Sequence, residues 1–215
     1  MTVTVRDLAH ARAGDKGNWV NISVIAHDVS GYEWLLQELT EVRVLAAFAA
    51  VFFSFGIYIF SVIGSILFII SKFLDHVDGQ LSRELNQTSK FGWYYDYFTD
   101  TASYVLMFIG ISAGIPPGTF EIKMFNIINI DLQNYLLFSA IIASLLNTII
   151  GILHKYRTSK DFYGFPETDN VALEDGIYLI GPITWIGFIN FFFLIASVGS
   201  VAFVIYNIKR FIKGI

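Results

Sequence analysis

The 215-residue chain has no cysteine, only four prolines and few charges, Asp, Glu, Lys and Arg together making up 15% of it. Without cysteine there can be no disulfide framework, no thiolate zinc site and no cysteine nucleophile. Soluble domains carry about 25% charged residues, so a large soluble enzyme is disfavoured. A basic stripe of the kind that grips nucleic acid is also missing, the formal net charge being −4 and the pI near 5.5, which sets nucleic-acid binding aside. What is abundant is apolar: 55% hydrophobic and 17% aromatic residues, with a mean hydropathy of +0.59. Intrinsic disorder is excluded by the same excess, and lipid is the expected surroundings.

The scarce charge is unevenly placed. Residues 1–43 hold Arg6, Asp7, Arg12, Asp15, Lys16, Asp28, Glu33, Glu38, Glu41 and Arg43 and belong in water. They lack the basic start, apolar stretch and small-residue cleavage site of a signal peptide, so none is expected. Alternation in VNISVIAHD suits a short strand, and Tyr32 to Leu39 a helix. Residues 44–215 then contain four charge-free runs: Val44 to Ser71, Thr101 to Phe120, Leu132 to Leu153 and Gly176 to Ile208.

A helix needs about 20 apolar residues to cross a bilayer core. The second run, extended back to about Phe91 and stopped by Pro116-Pro117, fits one span, and the third fits another. The last, 33 residues, would be roughly 50 Å long as one helix, so it is expected to turn at Gly187 to Asn190 between spans Leu173 to Trp185 and Phe191 to Ile208. The first is predicted to break near Gly56 into a stunted helix, Arg43 to Phe55, and a full one, Tyr58 to Leu74. The expected fold is therefore an all-α integral membrane protein of six transmembrane helices, or five if Val44 to Ser71 is one tilted helix, preceded by a small polar α+β fragment.

Basic residues favour the cytoplasmic side. Lys72, Arg83 and Lys90 share one connection, Lys155, Arg157 and Lys160 another, and Lys209, Arg210 and Lys213 the C-terminus, with only Lys123 opposed. Six spans with both ends in the cytoplasm satisfy this distribution.

Acidic residues at the edge of a membrane span are costly and mark functional sites. Asp75 and Asp78 are three apart and Asp96 and Asp100 four apart, so each pair shares a helix face. Four carboxylates gathered at one depth cannot all stay ionised without cations. Oxygen-only ligands point to a hard ion, magnesium or manganese. His76, about 100° around the helix from Asp75, is poorly placed to join them. Gly79 and Gly92 let a diphosphate or nucleotide approach the backbone, and Arg83 can fork onto a phosphate. Taken singly, each residue also has a plain explanation as a solvated helix end or a packing glycine.

The whole pattern, Asp75-x2-Asp78-Gly79-x2-Ser82-Arg83-x8-Gly92-x3-Asp96-x3-Asp100, resembles the signature of the CDP-alcohol phosphotransferase family over about residues 45–215. It departs from that signature only at Ser82, where the family has alanine. The resemblance implies a six-helix membrane enzyme, commonly a homodimer, that transfers the phosphatidyl group of a CDP-lipid such as CDP-diacylglycerol to an alcohol and releases CMP, in phospholipid synthesis. It implies that Asp75, Asp78, Asp96 and Asp100 hold two Mg2+ or Mn2+ ions, that Asp100 is the general base, and that Asp78, Gly79, Ser82, Arg83 and Gly92 line the CDP site, open to the cytoplasm. Lys155 and Arg157 could bind a phosphorylated acceptor, or serve only as positive-inside residues.

The N-terminal residues LAHARAGDKG, NISVIA and LTEVRV resemble the AtuA-like ferredoxin-fold domain. Such domains are about twice as long as residues 3–44, so a first half is expected here, meeting the membrane region near residue 44 where the first span is short. Half a domain buries too little surface to assign it an activity; His10, Asp15 and Lys16 read as solvated loop residues. Two other functions fit the composition: an intramembrane prenyltransferase, which also holds a diphosphate with aspartates and magnesium, and a catalytically inactive membrane protein with a truncated first helix.

Overall fold

The computed structural model describes residues 9–16, 19–29, 40–84, 90–124, 128–158 and 173–213. It is mostly helical and divides into two compact units, 1–44 and 45–215.

In the first unit, β1 (Ala9–Lys16) and β2 (Trp19–Ala26) form an antiparallel pair with Ala9 opposite Ala26 and Lys16 opposite Trp19. The second strand is the one expected from its alternation. The first corrects the reading of His10, Asp15 and Lys16 as loop residues, since all three lie on β1. Its period-2 signal, Ala9, Ala11 and Ala13 between His10 and Arg12, rests on alanine, a residue depleted in strands. The helix expected over Tyr32 to Leu39 lies outside the described residues.

The second unit is a helical bundle, its first helix starting just before the unit boundary. α1 (Glu41–Ser54) is followed by α2 (Tyr58–Glu84), α3 (Lys90–Gly114), a short antiparallel hairpin of β3 (Glu121–Met124) and β4 (Ile128–Asp131), and α4 (Gln133–Thr158). A 3₁₀ segment, Leu173–Leu179, then leads into the short α5 (Ile180–Trp185) and the long α6 (Ile189–Lys213). The break between α1 and α2 falls at Gly56, which takes φ +64°, a conformation open to glycine at little cost. Gly187, φ +85°, makes the second turn where a fold-back is expected. α3 stops just before Ile115-Pro116-Pro117, and Gln133 at the start of α4 closes its end: Gln133 Nε2 donates to the Ser112 carbonyl at 2.6 Å, one of the carbonyls a helix end leaves without an intrahelical partner. The β3–β4 hairpin was not expected.

All six α-helices of this unit contribute to one core of Ala49, Phe53, Phe68, Met107, Phe108, Ile111, Ile115, Ala140, Ile180, Phe192 and Phe193. Small residues bring backbones together around it. A Cβ on Gly114 would stand 2.1 Å from the Phe53 carbonyl oxygen, and one on Gly56 2.3 Å from the Gly114 oxygen. Gly110-x3-Gly114 thus packs α3 on α1 as small-x3-small motifs do in membrane helices.

The outside of the bundle is as apolar as the inside. Along α4, Tyr135, Phe138, Ile142, Leu145, Ile149, Leu153 and Tyr156 are all exposed, at the three- and four-residue steps of a single helix face. Only 22% of the apolar stretch of α4, and the same share of α6, is buried; contiguous apolar surface of this extent is rare on soluble proteins. Among the described residues, three helices are long and apolar enough to cross a membrane: α2 over Tyr58–Val77, α4 and α6. The other three differ from the six-span expectation for physical reasons. α1 has 14 residues, roughly 21 Å, α5 has six, and the first half of α3 carries Asp96, Asp100 and their hydroxyl neighbours.

Candidate functional site

The predicted site residues sit on two consecutive helices. Asp75, Asp78, Gly79, Ser82 and Arg83 lie towards the C-terminal end of α2, and Gly92, Asp96 and Asp100 in the first half of α3. These helices are antiparallel, because Gly56, just before α2, meets the end of α3 at Gly114, while Lys72 meets Asp100 sixteen residues further along α2 and fourteen back along α3. The aspartate-bearing segments are therefore neighbours at one end of the pair.

Lys72 donates a hydrogen bond to Asp100 Oδ1 and forms an ion pair with it. The lysine side chain is 6% exposed and that of Asp100 46%. Lys72 Nζ also lies 4.5 Å from the centroid of the Tyr104 ring and 6.0 Å from that of Phe68, within range of a cation–π interaction. Asp75 is half-buried on α2. The side chains of Asp78, Ser82, Arg83 and Asp96 lie outside the described residues, and among the described residues no group of three or more acidic, histidine or cysteine side chains is arranged to hold a metal ion. The donors in the two segments are carboxylates, a chemistry that fits a hard divalent cation.

Next to the pair, the polar contacts continue across the bundle. The Thr101 and Thr148 hydroxyls hydrogen-bond between α3 and α4. One residue away on α4, Asn147 Oδ1 accepts from Asn207 Nδ2 of α6 at 3.0 Å. Lys155 and Arg157 are in the last turn of α4, where positive charge suits the helix dipole. Arg157 lies 4.7 Å from the centroid of Phe211 on α6, so the basic C-terminal ends of α4 and α6 are side by side. Since α3 runs antiparallel to α4, with Gln133 meeting Ser112 and Thr148 meeting Thr101, the start of α3 and the end of α2 lie at this same end of the bundle. The acceptor-binding candidates and the aspartate segments thus share one end.

Lys72 is the residue that sequence reasoning misplaced. The sequence groups it with the basic residues of a cytoplasmic connection, whereas it is buried within the apolar stretch Tyr58–Val77. The available signal was its position, three residues before Asp75 on the same helix face.

A family model for the AtuA ferredoxin-like domain matches residues 3–90. This includes the N-terminal segment expected to resemble that domain, but runs on through α1 and α2, which are apolar helices of the other unit. The family models detect no CDP-alcohol phosphotransferase domain. Neither a curated protein nor a solved structure matches the chain.

Proposed function

We propose that the protein is a membrane-embedded, metal-dependent phosphotransferase that moves the phosphatidyl group of a CDP-lipid to an alcohol and releases CMP. The observation that carries this reading is the spacing of Asp75, Asp78, Asp96 and Asp100 on two antiparallel helices joined at Asp100, at the edge of an apolar bundle. Phosphoryl transfer asks mainly for positioning and charge neutralisation. Asp75, Asp78 and Asp96, with Asp100, would hold two Mg2+ or Mn2+ ions, which when bound neutralise the diphosphate and the departing CMP. Gly79 and Gly92 offer backbone clearance beside them, and Ser82 and Arg83 offer hydrogen bonds to the CDP moiety.

In the transfer, the acceptor hydroxyl oxygen bonds to the lipid-side phosphorus. The bond from that phosphorus to the bridging oxygen breaks, CMP leaves with that oxygen, and Asp100 takes the hydroxyl proton as general base. The protein would work as a membrane-embedded bundle, in the homodimer that the family resemblance implies, with this end of the bundle in the cytoplasm, where the basic ends of α4 and α6 favour it. Lipid chains then stay in the bilayer while CMP and a polar alcohol exchange with water.

The test is CMP release from CDP-diacylglycerol by purified protein, with magnesium or manganese and a panel of alcohols, including inositol and glycerol phosphates. Release with at least one acceptor, abolished in Asp96→Asn, is expected. No release with any acceptor, or undiminished release in Asp96→Asn, overturns the reading. A second reading, a catalytically inactive membrane protein, is favoured by the 14-residue α1 and predicts correct membrane insertion without CDP or divalent-ion binding.

A further inference from the structure

We infer that Lys72 is a positioning residue for Asp100, holding one carboxylate oxygen so that the other is presented to the acceptor hydroxyl; this rests on the phosphotransferase reading above. Among the described residues Lys72 is the only charged side chain that is buried. An ammonium in an apolar interior is costly unless paired, and residues kept in membrane segments at such cost mark functional sites.

The surroundings of Lys72 are built from both helices. Phe68 is one turn before it on α2, and Tyr104 one turn after Asp100 on α3, so four residues at i, i+4 spacing make a single contact. The two rings, 6.4 Å apart between centroids, flank the ammonium. Asp100 pairs with it through Oδ1. The cation is thereby buried and held while the anion stays half exposed, an asymmetry that suits a fixed support beneath a working carboxylate. Lys72 also lies one turn deeper in the apolar stretch than Asp75, on the same face of α2. It therefore forms the inner floor of the site, where an acceptor hydroxyl or a metal ion approaching from the bundle end would meet Asp100 from the opposite side. A general base must offer its oxygen in a fixed direction, and a support locked by packing keeps a functional side chain in productive geometry.

The experiment uses the full chain in detergent or lipid nanodiscs, with CDP-diacylglycerol, Mn2+ and whichever acceptor of the panel gives the fastest CMP release. K72M is expected to lower kcat by at least about tenfold with KM for the CDP-lipid changed by less than about threefold, the pattern of a group that acts in the transition state. K72R, which keeps the charge and the donor, is expected to restore kcat to within about threefold of wild type. K72Q is measured beside K72M in case the latter does not fold. Without metal or substrate, thermal unfolding of wild type, K72M, D100N and K72M/D100N supplies a readout independent of turnover. The double variant is expected to be less destabilised than the two single variants summed, because each single change leaves the partner unmatched. Wild-type kcat and KM in K72M or K72Q, no rescue in K72R, or additive unfolding shifts each overturns the assignment while leaving the phosphotransferase reading intact. A wild type that releases no CMP overturns both.

Discussion

A Cβ placed on Gly110 would stand 2.4 Å from the carbonyl oxygen of Ala50 and 2.7 Å from its Cα. Both obstacles are backbone, so no side chain can rotate to make room, and α1 or α3 has to shift. Gly110→Ala is therefore expected to destabilise the bundle by about 1–3 kcal/mol, read as a lower unfolding temperature in detergent. Gly199→Ala is the control, because a Cβ there meets nothing within 4 Å. It is expected to be neutral or stabilising by up to about 1 kcal/mol through helix propensity.

The amide pair joining α4 and α6 gives an asymmetric expectation. Asn207 is 2% exposed, and its own Oδ1 has no hydrogen-bond partner among the described residues, whereas Asn147 is half-buried. Asn147→Leu strands both polar ends of a buried amide, and is expected to cost more than Asn207→Leu. The double-mutant cycle should give a coupling of about 0.6 kcal/mol, as for other hydrogen bonds between membrane helices.

Gln133 ties the end of α3 to the start of α4, donating to the Ser112 carbonyl and, at 3.5 Å, to that of Ile115. Gln133→Leu is expected to cost about 1 kcal/mol. The loss should be local, so hydrogen exchange should speed up at the C-terminal amides of α3 and not at those near Asp100.

For the reaction itself, chelation by EDTA is expected to stop CMP release, and added Mg2+ or Mn2+ to restore it. Lys155→Ala and Arg157→Ala are expected to raise KM for a phosphorylated acceptor with kcat nearly unchanged, as when binding equal in ground and transition states is removed. Unchanged KM for every acceptor would leave both residues with a membrane-orienting role alone.

Much of the bundle was readable in the residues. The turns at Gly56 and Gly187 and the end of α3 before Pro116-Pro117 follow from local backbone chemistry, and the outward apolar faces follow from composition. The sequence does not betray β1, because its alternating apolar positions are alanines, which are depleted in strands, nor the β3–β4 hairpin, because strands of four residues, despite Ile122, Ile128 and Ile130, are too short for a period to stand out. The aspartate spacing could be read along the chain, but the partner of Asp100 could not: helix periodicity puts Lys72 on the face of Asp75 without saying which residue of another helix it meets.

Local sequence was enough to decide where helices start and stop and that their surroundings are apolar, because hydropathy, glycine φ freedom and proline sterics act within a few residues. Which side chains meet was decided only when α2 and α3 packed antiparallel. Lys72 and Asp100 are 28 residues apart, and only the antiparallel placement of α2 and α3, together with the high cost of a lone charge in an apolar interior, brings them together.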